Sequence, residues 1–163
     1  LTAMLVKLGV SHIAGTIRDS FGASMLATRR TMCVLGYAGT AAPVLLLPLL
    51  THSPAYLTTS CFCMALAGTG LHAEGFRANY LDVTRAHVGL VSGVGNCLSS
   101  VAAMFAPLIV GALVQGAGNW DPVWYCISAG CAMSAVIFAA FSSVTPVEEA
   151  LAADAAGKAK KTQ

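Results

Sequence analysis

Charge is distributed along this chain so that few folds remain open to it: long stretches without a formal charge alternate with short segments that hold nearly all the Lys and Arg. Thr31 to Leu50 is twenty residues without a charged side chain. At a rise of about 1.5 Å per residue such a stretch crosses a hydrocarbon core of about 30 Å. Residues 56–75, charged only at Glu74, and 124–141 form similar runs, and 88–115 is long enough to tilt. Residues 1–17 form another, interrupted by Lys7. Only 10% of the residues are charged and 56% are hydrophobic, against roughly 25% charged in an ordinary soluble domain. The expectation is an all-α, polytopic membrane helix bundle with five transmembrane helices and the lipid bilayer as its main partner. Residues 1–144 would form the bundle and 145–163 a tail.

The connections between these runs give an orientation. Arg18, Arg29 and Arg30, then Arg77 and Arg85, then Lys158, Lys160 and Lys161 are eight of the nine basic residues, and all fall on alternate connections. The intervening connections carry none. The positive-inside rule makes the basic face cytoplasmic, so that Leu1 starts outside and the C-terminus is cytosolic. Trp120, Trp124, Tyr125 and Tyr56 cluster at the expected outer boundary, where amphipathic rings sit at headgroup level. Gly89, Gly93, Gly95 and Gly111 are expected to let the fourth span pack closely against a neighbour. In the tail, Thr145, Pro146 and Glu148 have the spacing of a capping box with proline in the first turn. They predict a short cytosolic helix, to which no transport role attaches.

Several function classes fall away. A net charge of +2 in a membrane chain records topology and gives no argument for nucleic acid. The six cysteines all lie in apolar runs, and Cys61-x-Cys63 lacks the spacing of a zinc site, so they read as packing residues with no metal centre. No nucleophile, metal cluster or phosphate-cradling loop marks an enzyme, and no cofactor is implied.

The polar groups inside the spans are the candidates for chemistry. Ser92, Asn96, Ser99 and Ala103 share one helical stripe, which in lipid must face protein or water. They are candidates for substrate binding or for hydrogen bonds to a neighbouring helix. Lys7 inside its span either lines a cavity or snorkels outward. His72 and Glu74, near the basic end of their run, could serve an inner gate with Arg77 and Arg85, or be solvated. Asp82 and Arg85, three residues apart, read as a local surface pair worth little stability.

Two motifs carry a family resemblance. The connection running from Gly15 through Asp19 to Gly22, followed by Arg29 and Arg30, resembles the G-x-x-x-D…G…R-R loop of major facilitator transporters, in the copy between the eighth and ninth helices. The stretch Gly75 to Val114, with Gly75, Phe76, Asn79, Leu81, Asp82, Gly93, Asn96, Pro107, Val110 and Gly111 in register, looks like the tenth-to-eleventh helix region of the anion:cation symporter family. That group includes sodium/phosphate cotransporters, sialin and vesicular glutamate transporters. Val83-Thr84-Arg85 and Tyr80 depart from the family's usual Ile-Ala-Pro and His.

The resemblance implies helices eight to twelve of a twelve-helix major facilitator fold, with seven further helices of the same transporter encoded before Leu1. It further implies secondary active transport of a small organic or inorganic anion, coupled to sodium or protons by alternating access. The loop motif implies a breakable charge network at an inner gate. A transporter of sugars or drugs on the same fold, or a non-transporting five-helix scaffold, are the alternatives the residues leave open.

Overall fold

The computed structural model describes residues 24–153, together with Gly9, Thr16 and Gly22. The span expected over 1–17 therefore lies largely outside the described residues, as do Lys7, Gly15 and Asp19. So do the C-terminal lysines.

Four long helices follow in order: α1 (Met25–Leu46), α2 (Ala55–Val83), α3 (Val88–Ala117) and α4 (Asp121–Phe141). A one-turn 3₁₀ segment, Leu47–Leu50, prolongs α1. Ser24 starts α1 by accepting the Ala27 N–H at 3.2 Å, the role in which serine is favoured at a helix start. Gly118 ends α3 in the left-handed conformation, φ 71°, with its N–H on the Val114 carbonyl, and Pro122 takes the first turn of α4. About two further helical turns cover 147–153. No strand occurs among the described residues.

By length and composition, three segments among the described residues can cross a membrane: Met25–Leu50, Val88–Ala117 and Asp121–Phe141. Helix α2 differs. It has 29 residues, about 44 Å of helix, but its threonines, glycines and charged C-terminal turns dilute the apolar content. The expected boundary near residue 75 is also corrected, because the helix continues two further turns to Val83. Nothing in residues 76–83 breaks a helix, and the connection to α3 shrinks to residues 84–87.

α1 is the centre of the bundle. It contributes the buried Thr28, Met32, Cys33, Gly36, Pro43 and Val44, and it runs antiparallel to α2 with the two backbones in contact. A Cβ on Gly68 would lie 2.6 Å from the Thr40 nitrogen, and one on Gly75 2.7 Å from the Arg29 carbonyl oxygen. Both are closer than carbon atoms approach, so this crossing requires glycine. The Thr40 hydroxyl fills the remaining space, donating to the Gly36 carbonyl at 3.0 Å and to the Ala65 carbonyl at 3.3 Å. On its other side α1 receives α4, where the buried Ser128 hydroxyl donates to the Ala41 carbonyl at 3.2 Å. Val44, Leu47 and Ala65 close the core at the end away from the arginines, flanked by Cys61 and Trp124. Trp120 stacks on Trp124 there, with ring centroids 5.9 Å apart.

α3 stands apart, with no buried residue along its length. Leu90, Leu98, Met104 and Leu108 are each about two-thirds exposed. Among the described residues Gly89, Gly93 and Gly111 have open space where a side chain would stand, and of the four glycines expected to serve close packing Gly95 alone has a neighbour, the Tyr80 hydroxyl. The glycines that hold helices together are those of α1 and α2. Of the cysteines, Cys33 is fully buried in the α1–α2 crossing and fits the packing role, whereas Cys97 and Cys126 are exposed and do not.

Candidate functional site: a polar cavity and a cross-linked basic end

The last turns of α2 and the first turns of α3 border an open cavity of about 370 Å³ lined by Arg77, Tyr80, Leu81, Val88, Ser92 and Asn96. Arg77 and Tyr80, three residues apart, project from one side of α2; Ser92 and Asn96, four apart, project from one stripe of α3. The walls therefore offer a permanent guanidinium cation, two hydroxyls and a carboxamide, with Leu81 and Val88 as apolar surface. A fork of N–H donors suits the planar oxygens of a carboxylate or phosphate. Tyr80 also ties the two helices together. A Cβ on Gly95 would lie 2.5 Å from the Tyr80 hydroxyl, and Phe76 holds the ring edge-on at 4.9 Å.

Two of the residues expected on the polar stripe, Ser92 and Asn96, thus share one cavity, and Arg77, expected at a gate, joins them. Ser99 does not. Its hydroxyl turns back onto the Gly95 carbonyl at 2.9 Å. Tyr80 is a functional candidate that the residues alone do not single out; its place three positions after Arg77 is the one sequence signal that it shares that face.

Directly beside the cavity, side chains stitch the helix ends together. Arg29 Nε donates to Asp82 Oδ2 at 2.8 Å, with both side chains 18% exposed. Arg30 donates through Nε to the Ser142 hydroxyl at 3.0 Å and through Nη2 to the Ser142 carbonyl at 2.9 Å. The buried Asn79 donates to the Ser143 carbonyl at 2.7 Å. The start of α1 is thereby fixed to the ends of α2 and α4. The expected Asp82–Arg85 pair is corrected: Asp82 turns towards Arg29, 53 residues away in sequence. At the end of α2 its carboxylate faces the α1 crossing, where a semi-buried partner is available.

His72 stands elsewhere. Because α2 runs on to Val83, this residue is eleven positions inside the helix, stacked on Tyr37 of α1 with ring centroids 4.8 Å apart. Among the described residues no hydrogen bond joins its side chain to Arg77 or Arg85, although the Arg77 charge lies close enough to act on it. Glu74 belongs to α2, and its side chain lies outside the described residues. Gly22 takes the left-handed conformation with φ 58°, as a turn before a helix demands.

The tail also departs from expectation. Glu148 closes no capping box with Thr145; its Oε1 accepts the Thr84 hydroxyl and, at 3.2 Å, the Ala86 N–H in the connection between α2 and α3. The Thr84 hydroxyl in turn accepts the His87 N–H at 3.1 Å. These donors hold the Glu148 carboxyl well below the usual carboxylate range, at about 2, with the Thr84 hydroxyl the largest influence.

Comparison with known proteins agrees with the resemblance read in Gly75 to Val114. A probable anion transporter 7 from Oryza sativa subsp. japonica is 26% identical over 147 residues, covering 82% of this chain and 33% of that protein. Vesicular glutamate transporter 3 from Danio rerio is 27% identical over 86% of this chain and 24% of its own length. Human sialin is 25% identical over 87% of this chain and 29% of its own length. The chain therefore spans about a quarter to a third of the curated relatives it matches. No family model matches it. Its relatives are anion transporters of the major facilitator anion:cation symporter group.

Proposed function

We propose that this chain is part of a secondary transporter that moves a small anion across a membrane by alternating access, and that the cavity between α2 and α3 belongs to the anion's path. One observation carries the reading: Arg77, Tyr80, Ser92 and Asn96 line the same cavity. A lone arginine near a helix end is usually a solvated charge. An arginine sharing a cavity with three neutral hydrogen-bonding groups, and with no carboxylate among the lining residues, offers an oxyanion a charged fork of donors and further partners beside it. The names of the relatives, which include anion, glutamate and phosphate transporters, support the same class.

In this reading the end with Arg29, Arg30 and Arg85 faces the cytoplasm. The Arg29–Asp82 and Arg30–Ser142 contacts hold the inner side closed in one state and part in the other. Movement is driven by a sodium or proton gradient. Seven further helices of the same polypeptide complete the path.

Uptake of labelled phosphate, glutamate and sialic acid into proteoliposomes holding the full-length protein, under imposed sodium and proton gradients, tests this reading. At least one anion should accumulate, and Arg77→Ala should cut its uptake roughly tenfold or more, as expected for removing a charged hydrogen-bonding partner. Failure to accumulate any anion would sink the proposal.

A further inference from the structure

α3 begins without a cap of its own. Its N-cap residue His87 makes no side-chain capping bond, and its first turn holds no acidic residue, although a helix start leaves several N–H groups unpaired and favours negative charge. The connection that leads into it is instead tied down from 62 to 64 residues further along the chain. Glu148 reaches the Thr84 hydroxyl and the Ala86 N–H, and Thr84 passes the contact on to the His87 N–H. Val147 and Leu151 of the same tail helix, with Val83, His87 and Val91, line an apolar cavity of about 220 Å³ against this junction. Among the described residues α3 is lightly held elsewhere, since none of its residues is buried, with Tyr80 against Gly95 as one further contact.

The consequence reaches the cavity, because Ser92 is only four residues beyond the Val88 that opens α3, and Asn96 only one turn further. Whatever fixes the first turn of α3 also fixes how these two side chains stand opposite Arg77 and Tyr80. We propose that Glu148, in the tail, is a positioning residue for the polar cavity: by tying down the connection that leads into α3 it holds Ser92 and Asn96 against α2, and its release widens the cavity. The ligand assigned to that cavity rests on the transport reading above; the positioning itself does not.

The test uses the full-length protein in liposomes, its cysteines replaced and Ser92→Cys introduced, with the rate of maleimide labelling at that site as readout. Glu148→Ala and Thr84→Val, which remove the contact from opposite sides, should each speed labelling roughly tenfold, the scale expected for losing a charge-assisted hydrogen bond. Glu148→Gln, whose amide oxygen still accepts both donors, should stay within about threefold of the parent. With Ser92 restored, the KM of the transported anion should rise in the Ala variant more than its maximal rate falls. Equal labelling rates in the parent and Glu148→Ala, or the same acceleration with Gln as with Ala, would overturn the proposal. Accelerated labelling in a protein that moves no anion would uphold the positioning role while removing the transport reading.

Discussion

Asp82 and Arg29 form an ion pair that is neither solvated nor deeply buried, each side chain being 18% exposed. At that depth solvent screens the attraction only in part, while leaving one partner without the other carries a desolvation cost. Asp82→Asn should lower the stability of the detergent-solubilised protein by about 1–2 kcal/mol, read as a fall in its thermal midpoint. Exchanging the two residues should restore part of the loss. Glu148 behaves differently with pH. Its carboxyl sits at about 2 in the folded protein against an ordinary 4.5, so its contribution is complete above pH 4.5 and is lost as pH falls from there through about 2. Hydrogen exchange at the Ala86 amide, corrected for its intrinsic rate, should therefore be flat between about pH 5 and 8 and accelerate only below about pH 4. A midpoint near neutrality would contradict the assignment of this contact to the ionised carboxylate.

At the scale of elements, the α1–α2 pair and α3 obey different rules. α1 and α2 touch backbone to backbone at Gly36, Gly68 and Gly75, so Gly68→Val should push the helices apart and destabilise the protein by about 2–3 kcal/mol. Gly89 and Gly111 in α3 have nothing within 4 Å of the place a methyl group would take, and there alanine should be neutral or stabilise by up to about 1 kcal/mol. Thermal unfolding of the variants side by side checks both, and equal effects at the two kinds of site would refute the close crossing. Helix existence is legible in the sequence, since an uncharged run of twenty residues has few other ways to satisfy its backbone in lipid. Helix ends are less so: residues 76–83 carry Arg77 and Asp82, charges that read locally as a connection although α2 continues through them. Ser92 and Asn96 are legible as a stripe because helical period is local. Their cavity with Arg77 and Tyr80 is not, because the angle at which α3 leaves the 84–87 connection is written nowhere in the stripe.

For the whole molecule, the long helices carry large apolar side chains outward, Leu49 at 76% and Phe141 at 82% exposure among them. Such a surface is costly in water at about 25 cal/mol per Å² and cost-free in lipid. The basic end, by contrast, gathers the start of α1, the ends of α2 and α4, and the tail into one cross-linked cluster. Single cysteines at Arg85 and Glu149 should consequently react with an impermeant maleimide from the same side of the membrane, and one at Asn119 from the other. Reaction of Arg85 and Glu149 positions from opposite sides would break the topology.

What the order of residues determined by itself is the all-helical, lipid-facing architecture, since exclusion of charge from hydrocarbon acts on each stretch of chain separately and needs no knowledge of its neighbours. The α1–α2 glycine crossing, the turn of Asp82 from Arg85 to Arg29, and the reach of Glu148 to the start of α3 were decided only in three dimensions. Each joins groups far apart along the chain, and which donor meets which acceptor depends on how the helices cross and where their ends arrive. Local spacing does not encode that.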